Sequence, residues 1–363
     1  MAVKIFHAAD LHMDSPFDAL SEKQAVTRRR EQRELLDKLA ELIERENAQV
    51  VLLAGDILDS QSSYYETQEA LVRAFSKINA KIFIAPGNHD YYCAQSPYSA
   101  DIFPDNVHIF KSNRFECVQL DDIGCRVWGA GFTAPHSDML LNGFAIDKSD
   151  YINIGIVHGD MAGDSYNRIL PEAIAASGLD YLALGHVHTF SGIQKLSNTY
   201  YAYPGCPEGR GFDETGEKGV IVGTVSKDGC DLRFQQVAGR QYKIINIDMT
   251  DKEDVVSAVE REIGRGCEQD IVRIILAGES DCEVNLEKIE DTFSKSVFSL
   301  QIKNRVTPKR DLWAGAGEAT LKGIFLNSML KKYEAADGEE KEKLLLAVGY
   351  GLAALENREG RRV

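Results

Sequence analysis

Five apolar segments of this chain each end in a short run of polar residues, and this repeated arrangement limits the possible folds more than any other feature. The clearest example is KIFIAPGNHD, which covers residues 81–90. Its apolar start is typical of a buried strand, a Pro-Gly pair then turns the chain, and Asn88, His89 and Asp90 follow. A turn alone would explain one such segment. The same construction, however, occurs four more times.

The other four polar runs also follow apolar segments. They contain Asp10 and His12, Asp56 and Asp59, His158, and His186 and His188. Five of the eight histidines of the chain lie in the five runs. Imidazole and carboxylate groups together suit divalent ions such as manganese, iron and zinc. The pattern therefore predicts a metal site, in which a carboxylate such as Asp56 can bridge two ions.

Helical patterns separate the first three strand ends. Apolar residues that include Leu35 and Leu39 recur at helical spacing, and a second helical pattern precedes residue 81. Strands and helices that alternate in this way indicate a layered α/β fold. Further along, strand candidates around Tyr200, Val220 and Leu232 are separated by Gly-rich turns, which predicts antiparallel pairing within a second sheet.

The alternation of strand and helix restarts after a Gly-Arg pair at 239–240 and continues to about residue 306. The remainder of the chain is rich in helical patterns. We therefore expect three parts: a domain with the predicted metal site at residues 1–239, a small α/β domain at 240–306 and a helical C-terminal segment at 307–363.

Composition narrows the class of protein. The chain has a net charge of −15, which argues against strong DNA binding by this protein alone, because such proteins usually carry a basic face. Its seven cysteines are never spaced as Cys-x-x-Cys, which argues against a thiolate zinc site and a disulfide framework. No targeting segment and no apolar run of about 20 residues is evident, so we expect a cytoplasmic protein without a membrane span.

The five polar runs match, in order, the motifs D-x-H, G-D-x-x-D, G-N-H-D, H-G and G-H-x-H. On these motifs, residues 3–190 resemble the calcineurin-like metallophosphoesterase superfamily. The resemblance implies an α/β fold, in which helices flank a β-sandwich of two sheets, and a site for two divalent ions. The ligands that it implies are Asp10, His12 and His188 on one ion, Asn88, His158 and His186 on the other, and Asp56 between them.

The same resemblance implies roles for two further residues. His89 takes the place of the residue that stabilises or protonates the leaving oxygen, and Asp90 the place of its orienting partner. The implied reaction is phosphate-ester hydrolysis by a hydroxide that bridges the two ions. Manganese is the expected metal. Iron and zinc are alternatives, because these ligands accept several ions. Asp59, Tyr166 and Arg168 stay open between a role at the site and ordinary turn or loop positions.

Two segments narrow the resemblance further. HAADLHMDSPF at residues 7–17 and the stretch at residues 203–225 are similar to the DNA repair exonuclease branch of SbcD-like and YhaO-like proteins. The added α/β unit and the helical tail resemble the capping domain of that branch and its segment for docking an SMC-like ATPase.

The leading hypothesis is therefore a manganese-dependent DNA exonuclease or endonuclease subunit that acts with an SMC-like ATPase in DNA repair. One alternative is a phosphodiesterase or phosphatase for small or protein-bound phosphates. Another is a scaffold for an ATPase with little hydrolysis of its own. Dimerisation is open, and a homodimer is among the partners considered.

Overall fold

The structure is a computed structural model, and it describes residues 1–163, 166–252, 254–263, 267–309 and 311–355. The chain forms two compact units. The first contains residues 1–245, 263–274 and 290–302, and the second contains 246–262, 275–289 and the chain from 303 onward. The predicted boundaries at residues 239 and 306 stay a prediction. Residues 356–363 of the predicted C-terminal segment lie outside the described residues.

Strands and helices alternate along most of the chain. The strands are β1 (Ala2–Ala8), β2 (Val50–Leu53), β3 (Lys81–Ile84), β4 (Val107–Ile109), β5 (Glu116–Leu120), β6 (Cys125–Ala130), β7 (Ile152–His158), β8 (Tyr181–Gly185), β9 (Gln194–Leu196), β10 (Thr199–Ala202), β11 (Gly219–Ser226), β12 (Gly229–Gln236), β13 (Tyr242–Asp248), β14 (Ile271–Ala277) and β15 (Ser299–Asn304). The helices are α1 (Glu22–Glu46), α2 (Tyr65–Ser76), α3 (Pro171–Ala176), α4 (Val255–Ile263), α5 (Leu286–Phe293), α6 (Leu321–Ala335) and α7 (Glu339–Leu355).

The first sheet has six strands in the order β12-β11-β1-β2-β3-β4. Strands β1 to β4 run parallel, whereas β11 pairs antiparallel with β1. The prediction that the strands near Val220 and Leu232 belong to the second sheet is therefore wrong. The physical reason is burial on both faces of β11. Val222 packs in the core outside the first sheet and Val225 in the core between the sheets, so β11 suits an interior position.

The second sheet also has six strands, in the order β5-β6-β7-β8-β10-β9. Its central strands β6, β7, β8 and β10 are parallel, and β5 and β9 run antiparallel at the two edges. Strand β10, predicted near Tyr200, does belong to this sheet, but it pairs in parallel with β8. Ile5 and Phe83 of the first sheet share a buried core with Ile156 and Ala183 of the second. The two sheets therefore form a sandwich.

Helices cover both outer faces of this sandwich. Leu39 of α1 and Phe75 of α2 pack in one core with Phe6 of the first sheet. Ile174 of α3 packs against the second sheet, in a core with Leu184. The predicted α/β fold, with two sheets flanked by helices, is confirmed. Helices of this kind leave the carboxyl ends of the parallel strands open for a site.

The rest of the chain matches the predicted order of elements. A third sheet contains β13, β14 and β15 in that order, with α4 and α5 in the connections. Leu326 of α6 packs with Val348 and Leu352 of α7, which gives the predicted helical segment its own small core. Among the helices that the structure describes, none has both the length and the apolar character needed to cross a membrane.

Candidate metal centre

The loops that follow β1, β2, β3 and β8, together with the last residue of β7, bring the predicted ligands together. Candidate ligand atoms form three groups, each within 4.8 Å: Asp10, His12 and His188; His12, Asp56 and His89; and Asp56, His158 and His186. Neighbouring groups share His12 or Asp56, so the cluster is continuous. The side-chain oxygen of Asn88 lies 3.0 Å from Nε2 of His158, which adds the last of the seven predicted ligands.

The loops after β1 and β2 hold each other in an unusual backbone conformation. The amide of Asp10 donates to the carbonyl oxygen of Gly55 (3.0 Å), and the amide of His12 donates to that of Asp56 (2.9 Å). Asp10, His12 and Asp56 have φ angles of 55°, 44° and 51°, and that of His186 is 108°. Such angles are uncommon outside glycine and concentrate at functional sites. The hydrogen bonds between the loops compensate for this strain.

The carboxylate of Asp56 is placed to face two groups at once. Its Oδ1 accepts a hydrogen bond from the amide of His89 (2.9 Å). Its Oδ2 lies 3.7 Å from Nε2 of His12 and 3.4 Å from Nε2 of His158. A Cβ atom at Gly87 would collide with this carboxylate, so only glycine permits the close approach of the two loops. This geometry suits the bridging role predicted for Asp56.

Carboxylates orient two of the histidines from behind. Nδ1 of His12 lies 3.0 Å from Oδ1 of Asp59, and Nδ1 of His188 lies 2.7 Å from Oε1 of Glu214. Their Nε2 atoms consequently face each other at 3.3 Å. Histidine ligands of metals typically donate the other ring N–H to a carboxylate or a carbonyl oxygen in this way. The arrangement therefore fits a cation between the two rings and gives Asp59 a supporting role.

A backbone carbonyl orients a third histidine. Nδ1 of His158 lies 2.9 Å from the carbonyl oxygen of Ala54, so this nitrogen donates and Nε2 keeps its lone pair in the neutral ring. That Nε2 lies 3.0 Å from Oδ1 of Asn88 and 3.3 Å from Nδ1 of His186. Three potential ligand atoms thus converge. The donor set consists of nitrogen and oxygen, which suits the divalent ions predicted from the sequence.

The electrostatics of the cluster call for positive charge. Burial raises the pKa of Asp10 to about 6. Burial alone would lower the pKa of His158, but the charge of Asp56 outweighs it and raises that pKa to about 9. Burial lowers the pKa of both His12 and His186 to about 4, which favours the neutral rings that bind metals. Divalent ions would supply the charge that these buried carboxylates need.

The carboxylate of Asp90 lies between the loop after β2 and the loop after β3. Its buried carboxylate accepts hydrogen bonds from the amides of Asp56 (3.2 Å), Ile57 (2.7 Å), Leu58 (3.2 Å) and Gly87 (2.7 Å) and from the hydroxyl of Tyr98 (2.6 Å). These bonds join the loop after β2 to the loop after β3. Asp90 therefore positions the two ligand loops, and the role that the resemblance implies for it as partner of His89 stays a prediction.

His89 lies at the exposed side of the cluster. The carbonyl oxygen of Asp59 is the group that orients its ring, at 2.9 Å from Nδ1. The ring centre of His89 lies 4.8 Å from that of His12. With Nδ1 engaged, Nε2 is the ring nitrogen that remains for substrate.

The loop between β10 and β11 supplies two functional residues that the sequence did not reveal. Arg210 contacts Oδ1 of Asp59 at 3.0 Å and Oε1 of Glu214 at 2.6 Å. Burial alone would raise the pKa of Glu214, but hydrogen bonds from His188 and Arg210 lower it well below its ordinary value. Glu214 thus remains an ionised partner of His188. In the sequence, only the resemblance of residues 203–225 to the repair branch pointed to this loop, and it did not identify Arg210 or Glu214 individually.

Two residues left open by the sequence lie on the loop after β7. The ring of Tyr166 lies 5.3 Å from that of His186 and 5.2 Å from that of His136, between centres. Tyr166 is therefore part of the rim of the cluster. Arg168 pairs through its backbone with Asp160 on the same loop.

The fold and the cluster together define a metal-dependent phosphoesterase. The calcineurin-like phosphoesterase family profile matches residues 3–190, more than half of the chain, so the chain belongs to that family. The resemblance predicted from the five motifs is confirmed. The family implies divalent metal ions at the cluster described above.

Three relatives place the chain within the family. It is 28% identical over 333 residues to the uncharacterized metallophosphoesterase YhaO of Bacillus subtilis, covering 85% of this chain and 79% of the relative. It is 22% identical over 354 residues to the DNA double-strand break repair protein Mre11 of Methanopyrus kandleri, covering 89% and 75%. It is 21% identical over 278 residues to the D subunit of the nuclease SbcCD of B. subtilis, covering 65% and 69%.

Proposed function

We propose that this protein is the nuclease subunit of a DNA repair complex, and that it hydrolyses phosphodiester bonds with two divalent ions in partnership with an SMC-like ATPase. The observation that carries the proposal is the convergence of seven nitrogen and oxygen side chains, among which His12, His158 and His188 are each oriented through the other ring nitrogen. The choice of DNA is supported by the similarity to proteins named as a nuclease subunit and as a double-strand break repair protein. The Mre11 similarity extends over 89% of the chain, well beyond the ligand loops.

We propose manganese as the metal. One ion would be held by Asp10, His12 and His188. The other would be held by Asn88, His158 and His186. Asp56 would bind both ions. Such ions, when bound, polarise phosphoryl oxygens and lower the pKa of water.

The cluster attracts an anion although the chain as a whole is acidic. Asp10 and Asp56 bring a charge of −2 against +4 from two ions. The surrounding surface charge, part of a net −15, is screened over about 8–10 Å at physiological salt. A phosphodiester is therefore drawn to the site.

His89 serves the leaving group in this proposal. Because its Nδ1 is held by the carbonyl oxygen of Asp59, a second proton on Nε2 makes the ring cationic. That form stabilises negative charge on a leaving oxygen and can pass the Nε2 proton to it. Asp90 keeps the loop that carries His89 in register with Asp56.

The test measures cleavage of single-stranded and double-stranded DNA by the full chain in manganese, with and without an SMC-like ATPase. We expect Asp56→Asn to reduce the rate more than about 1000-fold, because it removes a charged bridging ligand. We expect His89→Ala to reduce it about 100-fold to 10,000-fold, the usual range for a general acid. Asp122→Asn, an exposed aspartate outside the cluster, is the control.

The alternatives give different results in the same experiment. Intact DNA together with rapid hydrolysis of bis(4-nitrophenyl) phosphate would replace the nuclease by a small-molecule phosphodiesterase. Inactivity toward both substrates, with the ATPase present, would leave two alternatives, a phosphatase and a scaffold for the ATPase. Anomalous diffraction at the manganese, iron and zinc edges identifies the ion.

The cytoplasm is the proposed location. Three of the seven cysteines are buried as thiols, namely Cys125, Cys206 and Cys267. Reduced thiols of this kind are typical of a reducing compartment.

A further inference from the structure

A cleft of about 600 Å³ lies beside the metal centre, within the first compact unit. The loop at residues 15–19, the loop at residues 210–214 and Arg273 line it. Asp59 also lines it, and this residue holds His12 of the metal centre. The cleft and the metal centre therefore share a wall. Its volume lies within the range of about 300–1,000 Å³ typical of small-molecule sites.

Neutral groups hold Arg273 in place in this cleft. Its guanidinium lies 3.8 Å above the centre of the Phe212 ring. Its Nε and one terminal nitrogen donate to Oε1 of Gln301 at 3.2 and 2.9 Å, and Gln301 in turn donates to the carbonyl oxygen of Ala19 at 2.7 Å. Stacking on one side and hydrogen bonds on another fix the plane of the guanidinium.

Arg210, in the same cleft, has a different environment. Asp59 and Glu214 both form ion pairs with it, so its charge is balanced within the protein. For Arg273, by contrast, the residues that the structure describes include no carboxylate within ion-pair distance. An immobilised guanidinium without an anionic partner is prepared to bind a phosphate through several N–H groups.

Two exposed carboxylates further define the ligand. Asp18 and Asp213 also line the cleft. They disfavour a free anion, but they can accept hydrogen bonds from the N–H or O–H groups of a base or sugar. The lining as a whole thus suits a nucleotide better than inorganic phosphate.

We propose that this cleft binds the nucleotide attached to the scissile phosphate. In this proposal Arg273 binds the second phosphate of that nucleotide, which is not the one that is cleaved. The inference rests on the proposed phosphodiester hydrolysis and adds a specificity-determining residue to it. Arg273 recognises the second phosphate, whereas the ions that the predicted ligands would hold bind the first. A substrate with one phosphate leaves Arg273 unused.

The test compares two small diesters in manganese: thymidine 5′-(4-nitrophenyl phosphate) and the same molecule with an added 3′-phosphate. The released chromophore gives kcat/KM for each. We expect the wild-type protein to prefer the substrate with two phosphates by about tenfold or more, as a charge-assisted hydrogen bond provides. We expect Arg273→Gln to abolish this preference and to leave the substrate with one phosphate within about twofold, which also shows that the variant is folded.

Two further variants make the result specific. Arg273→Lys keeps the charge but loses the planar fork, so we expect it to retain only part of the preference. Arg233→Gln, which removes an exposed arginine paired with Glu46, is the matched control and should keep all of it. A wild-type protein that hydrolyses both diesters equally overturns the inference and leaves the proposed function intact. A protein that hydrolyses neither diester nor DNA overturns both.

Discussion

The two sheets contribute to the metal centre in different ways. The loops after β1, β2 and β3, which we call the first edge, supply both predicted carboxylate ligands and the amide of Asn88. They also contain the positive φ angles at Asp10, His12 and Asp56. The loops after β7 and β8, the second edge, supply imidazoles alone. The first edge is the more strained and the more heavily hydrogen-bonded of the two.

This difference shows how the site is assembled. Within the first edge, Asp90 connects the loops after β2 and β3, because its carboxylate accepts hydrogen bonds from amides of both loops. The second edge is fixed against the first. His158 donates to the carbonyl oxygen of Ala54, and the amide of His186 donates to the carboxylate of Asp10 at 3.0 and 3.1 Å. Stability should therefore depend on the first edge more than on the second.

The largest effect on stability is expected from Asp90→Asn. The new amide nitrogen cannot accept the hydrogen bonds that one carboxylate oxygen now accepts, so buried donors lose their partners. We expect the free energy of unfolding to fall by roughly 4 kcal/mol and DNA cleavage to fall at least about 100-fold. Denaturant unfolding in a metal chelator measures the first quantity. Asp180→Asn, at a half-buried carboxylate that accepts one amide and pairs with Lys227, is the control and should cost less than about 1 kcal/mol.

His7 tests the connection between the two sheets. Its Nε2 donates to the carbonyl oxygen of Leu184 (3.1 Å), its Nδ1 accepts from the hydroxyl of Tyr181 (2.8 Å), and burial lowers its pKa to about 3. The folded protein therefore excludes a proton that the unfolded chain binds below about pH 6.5. Stability consequently falls as the pH drops from about 6.5 toward 3.

His7→Phe should remove this loss. Relative to the variant, we expect the free energy of unfolding of the wild-type protein to fall by about 3 kcal/mol between pH 7.5 and pH 4.5. Denaturant unfolding in a chelator measures it. The variant also leaves the Tyr181 hydroxyl without its acceptor, which lowers stability equally at both pH values. A constant difference between the two proteins over this range would contradict the neutral, buried assignment of His7.

Glu214→Gln tests how the second edge is oriented. The glutamine cannot provide the negative charge that holds His188 from behind, so we expect manganese affinity to fall about 10-fold to 100-fold. Competition with a chelating dye measures this without relying on catalysis. Glu217→Gln, an exposed glutamate three residues on, should leave the affinity unchanged. Equal affinities for all three proteins would show that Glu214 does not support the ligand.

The smallest effect on stability is expected from His186→Asn. Its ring is only half-buried, and the hydrogen bond to Asp10 comes from its backbone amide, which the variant keeps. We expect a change of less than about 1 kcal/mol in a chelator, together with reduced manganese binding. A loss as large as that of Asp90→Asn would break the distinction between the two edges.

Features encoded by neighbouring residues could be predicted from the sequence. Each ligand lies within a few residues of an apolar strand, so both the strand and its polar end were visible in one short segment. The alternation of strand and helix from β1 to β3, and again from β13 to β15, followed from the same kind of pattern. The start of α1 at Glu22 was also encoded locally, by the capping box between Ser21 and Gln24, although the apolar spacing alone did not mark it.

Features that depend on distant contacts could not be predicted. Glu214 lies 26 residues beyond His188 in a loop without periodicity, and its carboxylate resembles any turn acid until the chain folds back. The role of Asp90 depends on amides at residues 56–58, more than 30 positions earlier. The sheet to which β11 belongs was equally hidden, since an apolar strand suits the interior of either sheet.

The position of β11 has a consequence for how the chain can be divided. The family profile ends at residue 190, and all seven ligands precede that point. Yet β1, from which the first ligands extend, pairs along its other side with residues 221–226. A chain shortened to the recognised region would keep every ligand but expose an apolar strand edge, the kind of surface that promotes aggregation. The last predicted ligand, His188, thus lies 31 residues before β11 begins at residue 219.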